Sequence, residues 1–161
     1  MASTTRLGVS RTVHAPPHEV FALVCDPAGQ VSIDGSGMLQ AAPEARVVRA
    51  VGDTFVMEMD REPLGDLPMG RYTSFNTVTK FEPDSLLEWS VGTPERPSWG
   101  HVYGWEITAV GTTESEVTNY CDWSGVGEER AVHYPVVPEA MMQRSVDNLA
   151  AHFEGVSEEP A

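Results

Sequence analysis

Trp99, His101, Tyr103, Trp105 and Ile107 stand at consecutive alternate positions, with one imidazole among large rings. In a strand, alternate positions share a face, so a side chain that titrates near neutral pH would stand beside indoles and a phenol. The chemistry open to such a set is proton transfer at a bound carbonyl compound. His101 is the candidate acid or base, and Tyr103 or Tyr120 is the candidate donor to an enolate oxygen. His101 and Tyr103 form the candidate catalytic pair. Arg11 and Arg71 are candidates to stabilise developing negative charge. Asp122, which alternates with Tyr120 and Ser124, is a candidate to orient the imidazole. For Asp122, as for Glu58 and Asp60, an outward-facing solvated carboxylate is the alternative. For the rings, plain core is the alternative, since large apolar side chains cover the inner face of most sheets; the histidine is what a packed core seldom includes without a partner.

Other alternate sets can extend the same wall: Phe55, Met57 and Met59 in one run, Leu87, Trp89 and Val91 in another. Methionine adapts its shape and aromatic rings give rigid contact area, which suits a flat apolar guest. Opposite them, Met141, Met142, Ser145, Val146, Leu149 and Phe153 recur at helical spacing. The candidate ligand contacts are therefore Phe55, Met57, Met59, Trp89, Trp99, His101, Tyr103, Trp105, Tyr120, Met142, Ser145 and Leu149.

The elements that must position these side chains follow from pattern and punctuation. Residues 7–14 alternate as a first strand, and Ala15-Pro16-Pro17 stops the ladder and opens a helix. Val20, Phe21, Leu23 and Val24 give that helix its apolar stripe, and Asp26-Pro27 ends it. Residues 30–33 offer one more turn before the Asp34-Gly35-Ser36-Gly37 loop. Six further strands are expected at 45–51, 54–59, 71–81, 86–91, 99–108 and 116–123, with turns at Gly52-Asp53 and Pro83-Asp84-Ser85. A long amphipathic helix begins near Pro138, with Gly155 at its C-cap and a polar tail from Ser157. This order predicts an α+β fold, a curved seven-stranded antiparallel sheet gripping the last helix, with two short helices and an enclosed cavity. The chain reads as one domain over 1–161, with its core at about 6–156. Two long connections, 60–70 and 125–138, are candidate covers for the cavity mouth.

Composition narrows the partners. A net charge of −14 repels phosphate backbones and anionic membrane surfaces, so no nucleic-acid partner is expected. No segment approaches the roughly 20 apolar residues of a membrane span, and the N-terminus lacks a leader pattern, so no membrane insertion and a cytoplasmic location are expected. Cys25 and Cys121 stand far apart and are expected reduced and buried. His14, His18, His101, His133 and His152 show no metal-ligand spacing, and no nucleotide, dinucleotide or esterase motif occurs, so neither metal nor cofactor is expected. Oligomeric state is not specified by any of these features.

The segments Val9-Ser10-Arg11-Thr12-Val13-His14-Ala15-Pro16-Pro17, Val20-Phe21-Ala22-Leu23-Val24, Asp26-Pro27-Ala28, Ile33-Asp34-Gly35-Ser36-Gly37, Tyr120-Cys121-Asp122-Trp123-Ser124 and Asn148-Leu149-Ala150 resemble the START-related polyketide cyclase and lipid transport (SRPBCC) superfamily over nearly the whole chain. Upstream of the Asp34 loop, where similar bacterial sequences carry a histidine or tryptophan, this chain has Gln30, Val31 and Ser32. The resemblance implies the helix-grip fold, shared with pollen-allergen ligand binders, and a small hydrophobic or aromatic ligand, lipid-like or polyketide-like, between sheet and helix. Similar domains also act as cofactor-free polyketide cyclases, aromatases or dehydratases, and as protein-interaction modules of the stress-protein-activator type. An enzyme would rely on His101; a binder needs only the apolar lining.

Overall fold

A computed structural model describes residues 4–44 and 46–157 of the chain, with side chains to 154. Its strands are β1 (Arg6–Val13), β2 (Leu39–Ala41), β3 (Thr54–Asp60), β4 (Arg71–Glu82), β5 (Leu86–Gly92), β6 (Val102–Val110) and β7 (Glu114–Asp122). They form one antiparallel sheet in the order β1-β7-β6-β5-β4-β3-β2. The helices are α1 (Pro17–Cys25), α2 (Pro27–Ile33), α3 (Glu128–Ala131) and α4 (Glu139–Ser157). This is the expected helix-grip arrangement, a curled sheet with two short helices near its start and a long one laid across its concave face.

The strand count matches the expectation but one strand is displaced. The run expected at 45–51 is loop over 46–51, with Val48 N–H bonded to Cys25 O at 3.0 Å, and Ala45 lies outside the described residues. The edge strand is instead the three-residue β2, paired with β3 through an irregular register. Asp26-Pro27 both ends α1 and starts α2: the Asp26 carboxylate accepts from Ala28 N–H at 3.0 Å and Pro27 takes the first helical position. The single extra turn expected after Pro27 is therefore a seven-residue helix. α4 runs through Gly155 to Ser157, past the expected cap, and the tail beyond Ser157 lies outside the described residues.

Two glycines let large parts approach. A Cβ on Gly35 would sit 2.6 Å from Met141 O, Ser145 N and Arg144 Cβ, so the loop after α2 rests directly on α4. There Gly35 N–H donates to Ser145 Oγ at 2.7 Å, and Arg144 donates back to Gly35 O at 2.9 Å. On the convex face of the sheet, Gly104 leaves room for the Tyr120 ring, which a Cβ would meet within 2.5 Å.

The solid core lies at the β1 side. Val146 and Leu149 of α4 are fully buried with Val13 and Val117. Phe21 of α1 meets Phe81 of β4 edge-on, with ring centres 5.2 Å apart. Cys25 and Cys121 are free and buried, and burial pushes both thiols up to about 12. No helix among the described residues is long and apolar enough to cross a membrane.

Candidate functional site

The register puts three connections at one end of the sheet. Asp60 pairs with Arg71, Gly92 with Phe75, and Val102 with Asp122, so segments 61–70, 93–101 and 123–138 all leave from that end. Between them, the sheet and the first turns of α4 lies a cavity of about 400 Å³, within the range of small-molecule sites. Met142 and Ser145 line it, whereas Val146 and Leu149, further along α4, fill the solid core. The void exists because the helix meets the β1 side closely while the β3–β6 part of the sheet curls away from it.

Alternation along the strands supplies the lining. Phe55, Met57 and Met59 of β3, Trp89 of β5, Tyr103 and Trp105 of β6, and Trp99 and His101 just before β6 all face the cavity, together with Met142 and Ser145. Tyr120 and Leu149 do not. Tyr120 points to the convex side, where its hydroxyl donates to Glu88 Oε1 at 2.7 Å and Arg6 stacks on its ring at 3.9 Å. Its neighbour Asn119 faces inward in its place, and Leu149 is core.

The expected charge stabilisers and the expected orienter lie elsewhere. Arg11 pairs with Asp147 at 3.0 Å on the outside of α4, and Arg71 is exposed. Asp122 accepts from Ser124 N–H at 2.8 Å and forms no bond to His101. Glu58 is exposed, and Asp60 accepts from Glu62 N–H at 2.9 Å in the turn that follows it.

The partner of His101 is Tyr134, whose Oη lies 3.0 Å from Nδ1. His101 also stacks on Trp99 and meets Tyr103 edge-on, with ring centres 6.3 and 5.6 Å apart. Burial, reinforced by the nearby Arg130 cation, lowers the imidazole to about 4, so the ring is neutral at pH 7. Burial also raises the Tyr103 and Tyr134 phenols, which keep their protons. Arg130 is held by a 2.9 Å bond to Trp99 O. Arg61, the other guanidinium on the cavity, is gripped through Nε and Nη2 by Asp66 at 2.9 and 2.7 Å. That pairing holds the Asp66 carboxyl down at about 2.

Deeper in, two carboxamides furnish polar points. Asn119 donates to Gly104 O at 3.0 Å, and Asn76 donates to Phe55 O at 3.2 Å and Ser74 Oγ at 3.1 Å. Both residues line the void. These bonds use both N–H donors of Asn76 and one of the two of Asn119. Arg61, Arg130, Tyr134, Asn76 and Asn119 were not anticipated. The two asparagines carry a signal in hindsight, because they continue the inward alternation of Ser74, Asn76, Val78 and of Val117, Asn119, Cys121. The others lie on connections with no period to read.

The arrangement can enclose an apolar body, accept hydrogen bonds from it, and place a neutral imidazole and phenols against a carbonyl. Among the described residues no group of three or more His, Cys, Asp or Glu is disposed to hold a metal ion.

Residues 4–154 match the family model described as polyketide cyclase / dehydrase and lipid transport. An uncharacterised protein of Mycobacterium tuberculosis is 32% identical over 126 residues, covering 78% of this chain and 51% of that protein. The chain thus spans about half the length of the curated relatives it matches. Among solved structures, a protein of Nitrosomonas europaea aligns with a TM-score of 0.67 at 14% identity, covering 99% of this chain and all of that one. One of Rhodobacter sphaeroides gives 0.67 at 16% identity, covering 96% and 95%. These two likenesses are of fold.

Proposed function

Because the chain belongs to the polyketide cyclase / dehydrase and lipid transport family, whose membership suggests a hydrophobic ligand, we propose that its cavity binds one small hydrophobic or aromatic molecule. The observation that carries the reading is the void of about 400 Å³ walled by Trp89, Trp99, Trp105, Met57, Met59 and Met142. Apolar walls with a few fixed polar points are what a ligand pocket needs, and burying a guest's apolar surface there contributes about 25 cal/mol per Å² before ordering costs. Segments 60–70 and 125–138 serve in this reading as covers that part to admit the guest.

The test is quenching of tryptophan fluorescence by fatty acids, flavonoids, quinones and polyketides, in the wild type and in Val91→Trp, which puts an indole into the void. Saturable quenching in the wild type that weakens at least ten-fold in the filled variant supports the reading. Quenching by no compound, or equal quenching in both proteins, removes it.

The His101–Tyr134 contact favours a second reading, a cofactor-free cyclase or dehydratase. His101 would take a proton from a methylene flanked by two carbonyls, the carbanion would attack another ketone of the same chain, and the alkoxide would recover the proton before water is lost. An imidazole titrating at about 4 is a weak base, so only a carbon acidified on both sides is within its reach. Product analysis with a poly-β-keto chain tests this: a ring formed by the wild type and not by His101→Gln supports it, and equal rates in the two remove it.

A further inference from the structure

We infer that the guest is a carboxylic acid whose carboxylate sits at the mouth on Arg130 while its apolar body points inward toward Trp105. This deepens the ligand-binding reading and rests on it. Arg130 lines the cavity and is half-buried, and no carboxylate pairs with it among the described residues. Arg61, the other guanidinium lining the cavity, already has Asp66, so among the described residues the lining carries one guanidinium charge without a counter-ion. One such charge matches a monoanionic carboxylate; a phosphate dianion would need a second.

The cation is also pre-positioned. Its bond to Trp99 O occupies one of five guanidinium donors and fixes the side chain, leaving other N–H groups for two carboxylate oxygens. Tyr134 stands next to it, its phenol engaged with His101 Nδ1 at 3.0 Å and with the guanidinium itself. The protein's net charge of −14 opposes an anion at long range, but that field is screened beyond about 8 Å at physiological salt. Contact with a half-buried guanidinium therefore outweighs it. From the level of His101 to that of Trp105 is four strand residues, about 13 Å, which accommodates two fused rings or a medium alkyl chain.

The experiment compares 2-naphthoic acid with its methyl ester, and dodecanoic acid with its methyl ester, by tryptophan quenching at about pH 7. The wild type is expected to bind the acid of at least one pair ten-fold or more tightly than the ester. In Arg130→Gln, checked for unaltered thermal unfolding, the acid should fall to the ester's affinity while the ester holds. Arg130→Lys should recover part of the difference. Acid and ester bound equally by the wild type, or an equal loss of both in Arg130→Gln, overturns the carboxylate inference and leaves the hydrophobic-ligand reading standing. No binding by any of the four overturns the carboxylate inference, and the wider panel above then decides the hydrophobic-ligand reading by itself.

Discussion

Tyr134 Oη meets His101 Nδ1 at 3.0 Å across 33 residues of sequence, tying the segment after α3 to the residue that precedes β6. The contact ties the segment after α3 to the imidazole that lines the cavity. Four expectations can be measured on the protein and its single-residue variants.

Stability should fall with acid in the range set by His101. In the unfolded chain the ring takes up its proton near 6.5; in the folded protein burial and Arg130 delay this to about 4. Between those values the unfolded state holds the extra proton, so stability is lost as pH drops, amounting to about 2 kcal/mol by about pH 5. Asp66 acts lower, its contribution being lost as pH falls from 3.8 toward about 2. Denaturant unfolding at about pH 7 and about pH 5 should show a clear loss for the wild type and a much smaller one for His101→Gln. Equal losses would show that the ring titrates normally.

Tyr120→Phe separates the two faces of the sheet. Glu88 is buried and accepts from Tyr120 at 2.7 Å and from Thr79 at 2.7 Å, with Lys80 only at 3.9 Å. Losing the phenol should cost about 1–3 kcal/mol. Affinity for any cavity guest should change less than two-fold. A stable variant with impaired binding would place the phenol inside after all.

Gly35→Ala should destabilise by about 2 kcal/mol or more, because the new methyl collides with the backbone of α4 at 2.6 Å and neither segment yields cheaply. Amide exchange over 34–39 should quicken as the loop lifts. An unchanged melting temperature would mean that the loop does not rest on the helix.

Within α4, Leu149→Ala and Met142→Ala should behave differently. Leu149 is fully enclosed by other side chains, so its truncation should cost about 2–5 kcal/mol. Met142 borders empty space and gives up fewer contacts, so the smaller stability loss should come with the larger loss of guest affinity. Thermal unfolding and quenching titrations, read side by side, test the ordering; the reverse order would put the void elsewhere.

Much of the fold was legible because its signals are periodic. The 99–107 alternation aimed four rings at one side, and Asp26-Pro27 and the Met142 to Phe153 stripe marked the helices. The displaced strand was illegible for a physical reason: β2 is only three residues, while the apolar 46–51 run is anchored as a loop by Val48. Tyr120 was singled out for its phenol, and alternation alone does not say which face of a strand turns inward. The contrary clue was Gly104 across the ladder, which leaves a hollow for a ring on the outer face. Arg130 and Tyr134 reach the cavity by tertiary packing of an irregular segment, which no local pattern encodes.

Cys25 and Cys121, the chain's two thiols, are sealed in the interior and protonated far above neutral pH. Alkylating reagents should therefore pass the native protein by. A cysteine newly placed at Val132, 77% exposed beside the Tyr134 segment, would be the sole reactive handle. A spin label or fluorophore attached there would follow that segment in real time, with no background from the native sulfurs.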